Sequence, residues 1–288
     1  MAPRARTPRP PTADADPGTP GTRASHDGSD RARTDVGPRA AVLITEQLSK
    51  TFSHGGLQQH VLRNLNLRIE AGSFTVVMGP SGAGKSTLLH TLSGLDHPSL
   101  GRVVLAGTDI THRGENELAR LRRTHCGFMF QQPFLLESLD SMDNVMSVAR
   151  LTQDRRAAAT RAAELFDRVG LDEQDRHKLP AMLSGGEAAR VSLVRALVND
   201  PTVVFADEPT GQLNSELSRT VMELLASLNA QGQTIVMVTH DVRSASYGSH
   251  VLYLRDGVIA GDLDLSVLPD GDPRRREQLV AFLEEMDW

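Results

Sequence analysis

The stretch Gly79-Pro80-Ser81-Gly82-Ala83-Gly84-Lys85-Ser86 sets glycines, one amine and one hydroxyl at the spacing G-x-x-x-x-G-K-S. Phosphate oxygens need several N–H donors at close range, and only backbone free of obstructing side chains supplies them. The apolar run Phe74–Met78 before it reads as a strand, and Lys85–Ser93 reads as a helix closed by Gly94. That helix would point its N-terminal dipole at the same anion. Lys85 is then placed to reach the outer two phosphates of a nucleoside triphosphate, and Ser86 to ligate Mg²⁺.

A second run, Val203-Val204-Phe205-Ala206, is an apolar strand ending in Asp207 and Glu208. Two acids after a strand, taken alone, suit a solvated turn equally well. Beside a phosphate loop they acquire distinct roles. Asp207, at the strand's end, can hold Mg²⁺ through water, and Glu208 can orient and deprotonate an attacking water.

A third phrase, Leu183-Ser184-Gly185-Gly186-Glu187, precedes a helical run over residues 188–199 and then Pro201. It resembles the signature motif of the ABC ATPases. The phrases Met78–Thr87, Gly94–Pro98, Gly127–Leu136 and Ala206–Leu213 are similar to the lipoprotein-release and macrolide-export group of that family. The likeness runs over residues 41–260 and leaves out both ends of the chain. It implies a P-loop α/β core with an antiparallel β subdomain and an α-helical subdomain.

The resemblance implies ATP as substrate and Mg²⁺ as cofactor. Phe52 and residues Gly79, Pro80, Ser81, Gly82, Ala83, Gly84, Lys85, Ser86 and Thr87 would bind the nucleotide. Phe52 would stack on adenine, although its type also suits a core position. Gln131, after the strand Gly127–Phe130, matches the glutamine that senses metal and water, so Ser86, Gln131 and Asp207 form the metal set. Glu208, His240 and Gln131 would carry hydrolysis, and Ser184, Gly185 and Gly186 would contact ATP held by a second copy of the chain. The family further implies a transmembrane permease as partner, docked near Pro133–Met146, and a peripheral place on the cytoplasmic face of the membrane. A regulator that signals through a membrane protein in cell-wall or division control is the alternative. Soluble ABC ATPases of repair or translation usually add a second ATPase unit, a coiled coil or zinc cysteines, which are not seen here.

Two residues depart from the family pattern. Glu187 stands where Gln is usual. It completes a capping box with Ser184, yet a carboxylate ~6 Å from one unit of phosphate charge would cost about 2–3 kcal/mol at an effective dielectric of ~20. Both readings stand open at this point. Asn214 replaces an interface aspartate, and because Asn and Asp cap helices equally well, a helix from about Ser215 is expected to survive.

The elements that must position these residues follow from periodicity. Val42–Leu48, Leu65–Ile69, Thr202–Ala206, Thr234–Thr239 and Val251–Leu254 read as further strands, and Asp256-Gly257 as a hairpin turn into Val258–Ala260. Arg155–Val169 and a helix carrying Leu217, Val221, Leu224, Leu225 and Leu228 on one face alternate with them, which argues an α/β fold with a mainly parallel sheet. Residues 132–184 lack strand signals and read as a helical subdomain within an ATPase domain over 41–262, and 263–288 as a helical extension. Residues 1–40 hold seven prolines, seven Arg and five Asp but no Leu, Ile, Phe, Tyr or Trp, and are expected to be disordered.

Composition narrows the function classes. A net charge of -5 on 288 residues projects no field toward nucleic acid. The single cysteine, Cys126, excludes an internal disulfide and suits a reducing compartment. No apolar run approaches the ~20 residues of a spanning helix. No secretory apolar segment follows the N-terminal basic residues. A membrane role is therefore expected to run through a partner. Of the 31 cationic residues only Lys50, Lys85 and Lys178 are lysine.

Overall fold

A computed structural model describes residues 40–288. The expectation for the N-terminal segment falls outside them, save its last residue, Ala40. Two long strands open the fold, β1 (Ala41–His54) and β2 (Leu57–Glu70), followed by β3 (Phe74–Met78), α1 (Lys85–Leu92), β4 (Leu100–Leu105), β5 (Thr108–Asp109), α2 (Glu115–His125) and β6 (Cys126–Met129). A helical stretch comes next: α3 (Ser141–Ala149), α4 (Arg155–Arg168), α5 (Glu173–Arg176), a 3₁₀ turn at Pro180–Met182, and α6 (Gly185–Leu197). The chain ends with β7 (Val203–Asp207), α7 (Ser215–Ala230), β8 (Thr234–Val238), α8 (Val242–Ala245), β9 (His250–Arg255), β10 (Val258–Asp264) and α9 (Pro273–Glu285).

Two sheets result. One is antiparallel, in the order β2-β1-β4-β5, and the other runs β10-β9-β3-β8-β7-β6, parallel except for the β9–β10 hairpin. The hairpin expected at Asp256-Gly257 is present, with Asp256 and Gly257 both at positive φ. Strand β4, the short β5 and helix α2 were not foreseen, and β1 and β2 extend well past the apolar cores read from sequence. The hairpin end of β2, Leu57–His60, is exposed and largely polar, so hydrophobic periodicity gives it no signal.

The parallel strands are apolar on both faces, and their side chains alternate between two cores. Phe74, Val76 and Met78 of β3, Val204 and Ala206 of β7, and Ile235 and Met237 of β8 enter one core with α3, α4, α6, α7 and α9. Val77, Val203, Phe205, Val236 and Val238 point the other way, onto α1 and the antiparallel sheet. Helix α1 is therefore clamped between two sheets, with Leu88, Leu89 and Leu92 buried. That clamp matters for function, because the phosphate-loop candidate is the N-terminal lead-in to α1.

Candidate active site

The parallel register sets the site. Val77 of β3 pairs with Val238 of β8, Asp207 of β7 pairs with the same Val238, and Met129 of β6 pairs with Ala206. The C-terminal ends of all four strands therefore lie along one edge, where open α/β sheets bind ligands. Residues 79–87, 130–131, 207–208 and 239–240 leave from that edge.

Gly79 and Gly84 are required by both conformation and space. Their φ values are +150° and +101°, and a Cβ on Gly79 would lie 2.0 Å from the Leu254 carbonyl oxygen. On Gly84 it would lie 2.9 Å from the Val61 carbonyl oxygen, so β2 passes directly against the loop. Ala83 N–H donates to Pro80 O at 3.2 Å, tightening the turn. Inside it the Lys85 ammonium donates to Gly79 O at 2.7 Å and Pro80 O at 3.0 Å. Burial lowers the Lys85 pKa, opposed by the nearby carboxylates Glu208 and Asp207. A buried cation held by two neutral carbonyls gains from an anionic ligand.

Ser86 Oγ donates to Asp207 Oδ1 at 3.1 Å, joining the loop to β7. Burial raises the Asp207 pKa, with Ser86 acting against it. Among the described residues no three His, Cys, Asp or Glu side chains gather as a metal cluster. Mg²⁺ sites commonly use only one or two protein oxygens, completed by substrate phosphates and water. The Ser86 hydroxyl and Asp207 carboxylate fit that pattern.

Glu208 adopts φ +47°, a left-handed conformation unusual for glutamate, and its N–H donates to Val238 O at 2.9 Å. Such an outlier, held by a neighbouring strand, marks a position where geometry outweighs backbone cost. Its Oε1 lies 2.9 Å from His240 Nδ1. Gln131 converges on the same carboxylate. A Cβ on Gly211 would lie 3.0 Å from Gln131 Nε2 and 3.3 Å from Glu208 Oε2.

Phe52 is 43% exposed on β1, with the Lys50 ammonium 4.9 Å from its ring centroid. Lys50 is itself buried and paired with Asp96 at 2.6 Å and His97 O at 2.7 Å. One face of the ring is thus backed by a fixed cation. Lys50 was not singled out from sequence.

Ser184 caps α6 in a full capping box with Glu187, whose Oε2 accepts from Ser184 N–H at 2.7 Å. Glu187 Oε1 also accepts from Lys178 at 2.8 Å, and Lys178 reaches Asp175 at 2.6 Å. Lys178 first, then Ser184, holds the Glu187 carboxyl down to a pKa of about 2. Glu187 therefore serves as a helix cap and is also charge-paired, by a lysine the sequence reading had not weighed. Asn214 caps α7 through Leu217 N–H at 3.0 Å, and the helix survives as expected. Gly185 and Gly186 pack against Leu213 and Leu217 beside it. Among the described residues no hydrogen bond joins Ser184–Gly186 to the phosphate loop. The structure thus joins Asp207 to the loop, gathers Gln131 and His240 about Glu208 on the same sheet edge, and leaves the signature phrase apart.

The family model described as "ABC transporter" matches residues 62–211. The chain belongs to the ABC transporter family. It is 44% identical, over 76% of its length and 97% of the relative's, to an uncharacterized ABC transporter ATP-binding protein, MJ1508, of Methanocaldococcus jannaschii. It is 39% identical to the macrolide export ATP-binding/permease protein MacB of Bdellovibrio bacteriovorus, covering 80% of this chain and 35% of that one. The chain therefore spans about a third of the MacB relatives it matches. Among solved structures, a dimeric post-hydrolysis state of the ATP-binding cassette MJ0796 bound to ADP and Pi superposes with a TM-score of 0.72 at 35% identity, covering 77% of this chain and 98% of that one. The fold is the P-loop ABC ATPase core, and among the described residues no helix is long and apolar enough to cross a membrane.

Proposed function

We propose that this ABC family member binds and hydrolyses ATP and, through ATP-dependent dimerisation, drives a separate transmembrane partner from the cytoplasmic face of a membrane. The observation that carries the reading is the convergence of Lys85, Ser86, Asp207, Glu208, Gln131 and His240 on one sheet edge. Backbone N–H groups of residues 79–84 and the α1 N-terminus take the phosphates, and Lys85 exchanges two carbonyls for phosphate oxygens. Ser86 and Asp207, with Gln131, would hold Mg²⁺, which when bound would offset charge on the phosphate oxygens. Glu208 accepts a proton from water as the water oxygen attacks the terminal phosphorus. The bond to the bridging oxygen breaks, leaving ADP and phosphate. His240, fixed by Glu208, faces the same chamber.

Ser184 and Gly185 are exposed at the N-terminus of α6, an end whose dipole suits an anion, which supports its use by a second copy across a head-to-tail dimer. Exposed Phe134 and Leu136, beside Gln131, support a permease dock there. Purification from native membranes with reversible cross-linking tests the reading. An integral membrane partner that raises ATP turnover is the expected result. An ATPase that works at full rate with no membrane partner would overturn the coupling. A partner that moves no solute in vesicles yet controls wall enzymes would favour the regulatory alternative.

A further inference from the structure

The C-terminal helix α9 lies outside the matched family segment, residues 62–211, yet it is built into the catalytic half of the molecule. Leu279 and Leu283 are buried in the same core as Ala245 of α8 and Tyr253 of β9. Phe282 and Met286 sit against Gly261, where an added Cβ would come within 2.9 Å of either side chain. The decisive residue is Arg275, only 3% exposed. Its guanidinium donates twice to Leu268 O, at 2.8 and 3.1 Å, pairs with Asp270 at 2.8 Å, and reaches Tyr247 O at 3.5 Å.

Tyr247 ends the short segment that begins at His240. Asp241 caps α8 through the N–H groups of Arg243 and Ser244 and the Ser244 hydroxyl. Ser244 Oγ in turn lies 3.2 Å from Thr210 Oγ1, two residues after Glu208. From His240 to Tyr247 the segment is thus tied at its front to the Glu208 strand end and at its rear to α9. The next residue along α9, Arg276, lines a cavity of about 540 Å³ whose wall also includes Glu208 and His240. A four-residue helix has too few internal hydrogen bonds to fix its own direction, so the rear tie determines how rigidly His240 is presented.

We propose that α9 braces the His240 segment, with Arg275 as its positioning residue: the helix sets the rate of ATP turnover without touching the nucleotide. This rests on the reading of the site as an ATPase. In the full chain, Arg275→Met keeps the apolar stem and removes every donor. It is expected to lower kcat about tenfold, since small misplacements at a catalytic group are costly, while ATP affinity stays within about twofold. Arg275→Lys, still able to donate to the Leu268 and Tyr247 carbonyls, is expected to recover most of the loss. Val103→Ala, in the other core, serves as a control matched in melting temperature. A kcat for Arg275→Met within twofold of the parent overturns the brace, as does an equal fall in the control. Hydrogen exchange decides the matter even if Arg275→Met does not fold or the parent proves inactive. Leu279→Ala is expected to speed exchange at 242–247 and leave 85–92 unchanged, and equal exchange at both overturns the proposal. A parent without ATP turnover sinks the reading of the site itself and leaves that comparison standing.

Discussion

Glu208 and His240 share one hydrogen bond, from Nδ1 to Oε1 at 2.9 Å, across the adjacent ends of β7 and β8. Wherever the carboxylate is ionised it can only accept, and the shared proton is then carried on Nδ1. Removing the carboxylate charge should stop chemistry while leaving the phosphate loop untouched. Glu208→Gln is expected to bind ATP normally and to lose turnover by about two to four orders of magnitude, the usual worth of a positioned base. Isothermal titration beside a steady-state ATPase assay checks both halves.

Lys85 acts on binding. Lys85→Ala removes charge-assisted contacts to two phosphates, each worth about 1.5–3 kcal/mol, so ATP affinity should fall at least about a hundredfold. A dissociation constant within threefold of the parent would show that the amine does not serve the nucleotide.

How much of this was legible in the sequence depended on whether a residue's role is local. The phosphate loop, the Asp207–Glu208 pair and the Asn214 cap depend on near neighbours in the chain, and each stands where the spacing put it. Glu208's positive φ, Gln131's approach to Gly211 and Lys178's grip on Glu187 depend on partners far along the chain, and no local pattern encodes them. One compositional clue was available. In an arginine-dominated chain each of the three lysines contacts a residue singled out from the sequence: Lys85 holds the loop, Lys50 lies beneath Phe52, and Lys178 pairs with Glu187. Strands β4 and β5 were missed because Gly101 and the short length of β5 break the alternation that strands are recognised by.

The Lys178–Glu187 pair makes a directional prediction. In the proposed head-to-tail dimer Glu187 would lie near the phosphate of ATP on the second copy, so Lys178→Met, which removes its cationic partner, is expected to weaken ATP-dependent dimerisation about tenfold. Glu187→Gln keeps the cap and removes a charge that Lys178 already offsets in part, so it should change dimerisation by less than about threefold. Light scattering with ATP on the hydrolysis-deficient background measures both. A larger effect for Glu187→Gln than for Lys178→Met would refute the pairing.

Gly79 and Gly82 separate space from conformation. Gly82→Ala meets open space at φ +80° and should cost about 1–2 kcal/mol from the left-handed backbone alone. Gly79→Ala adds a 2.0 Å collision with the Leu254 carbonyl and should cost more than about 3 kcal/mol. Urea denaturation of the two variants gives the ranking.

Cys126 supplies a pH test of the fold around β6. Burial pushes its thiol up to about 12, so its reactive thiolate forms only as pH rises toward that value. At pH 8 the native chain should react with iodoacetamide more slowly than an unfolded one. Rapid labelling at pH 8 would mean that β6 is open.

The central claim, that this sheet edge hydrolyses ATP through Glu208, is tested most directly by single-turnover hydrolysis of γ-labelled ATP. Parent and Glu208→Gln are compared at protein concentrations above the dissociation constant, so that binding is complete in both. The parent is expected to release phosphate and Glu208→Gln to retain intact ATP, with equal nucleotide bound. Equal phosphate release from both proteins would contradict it.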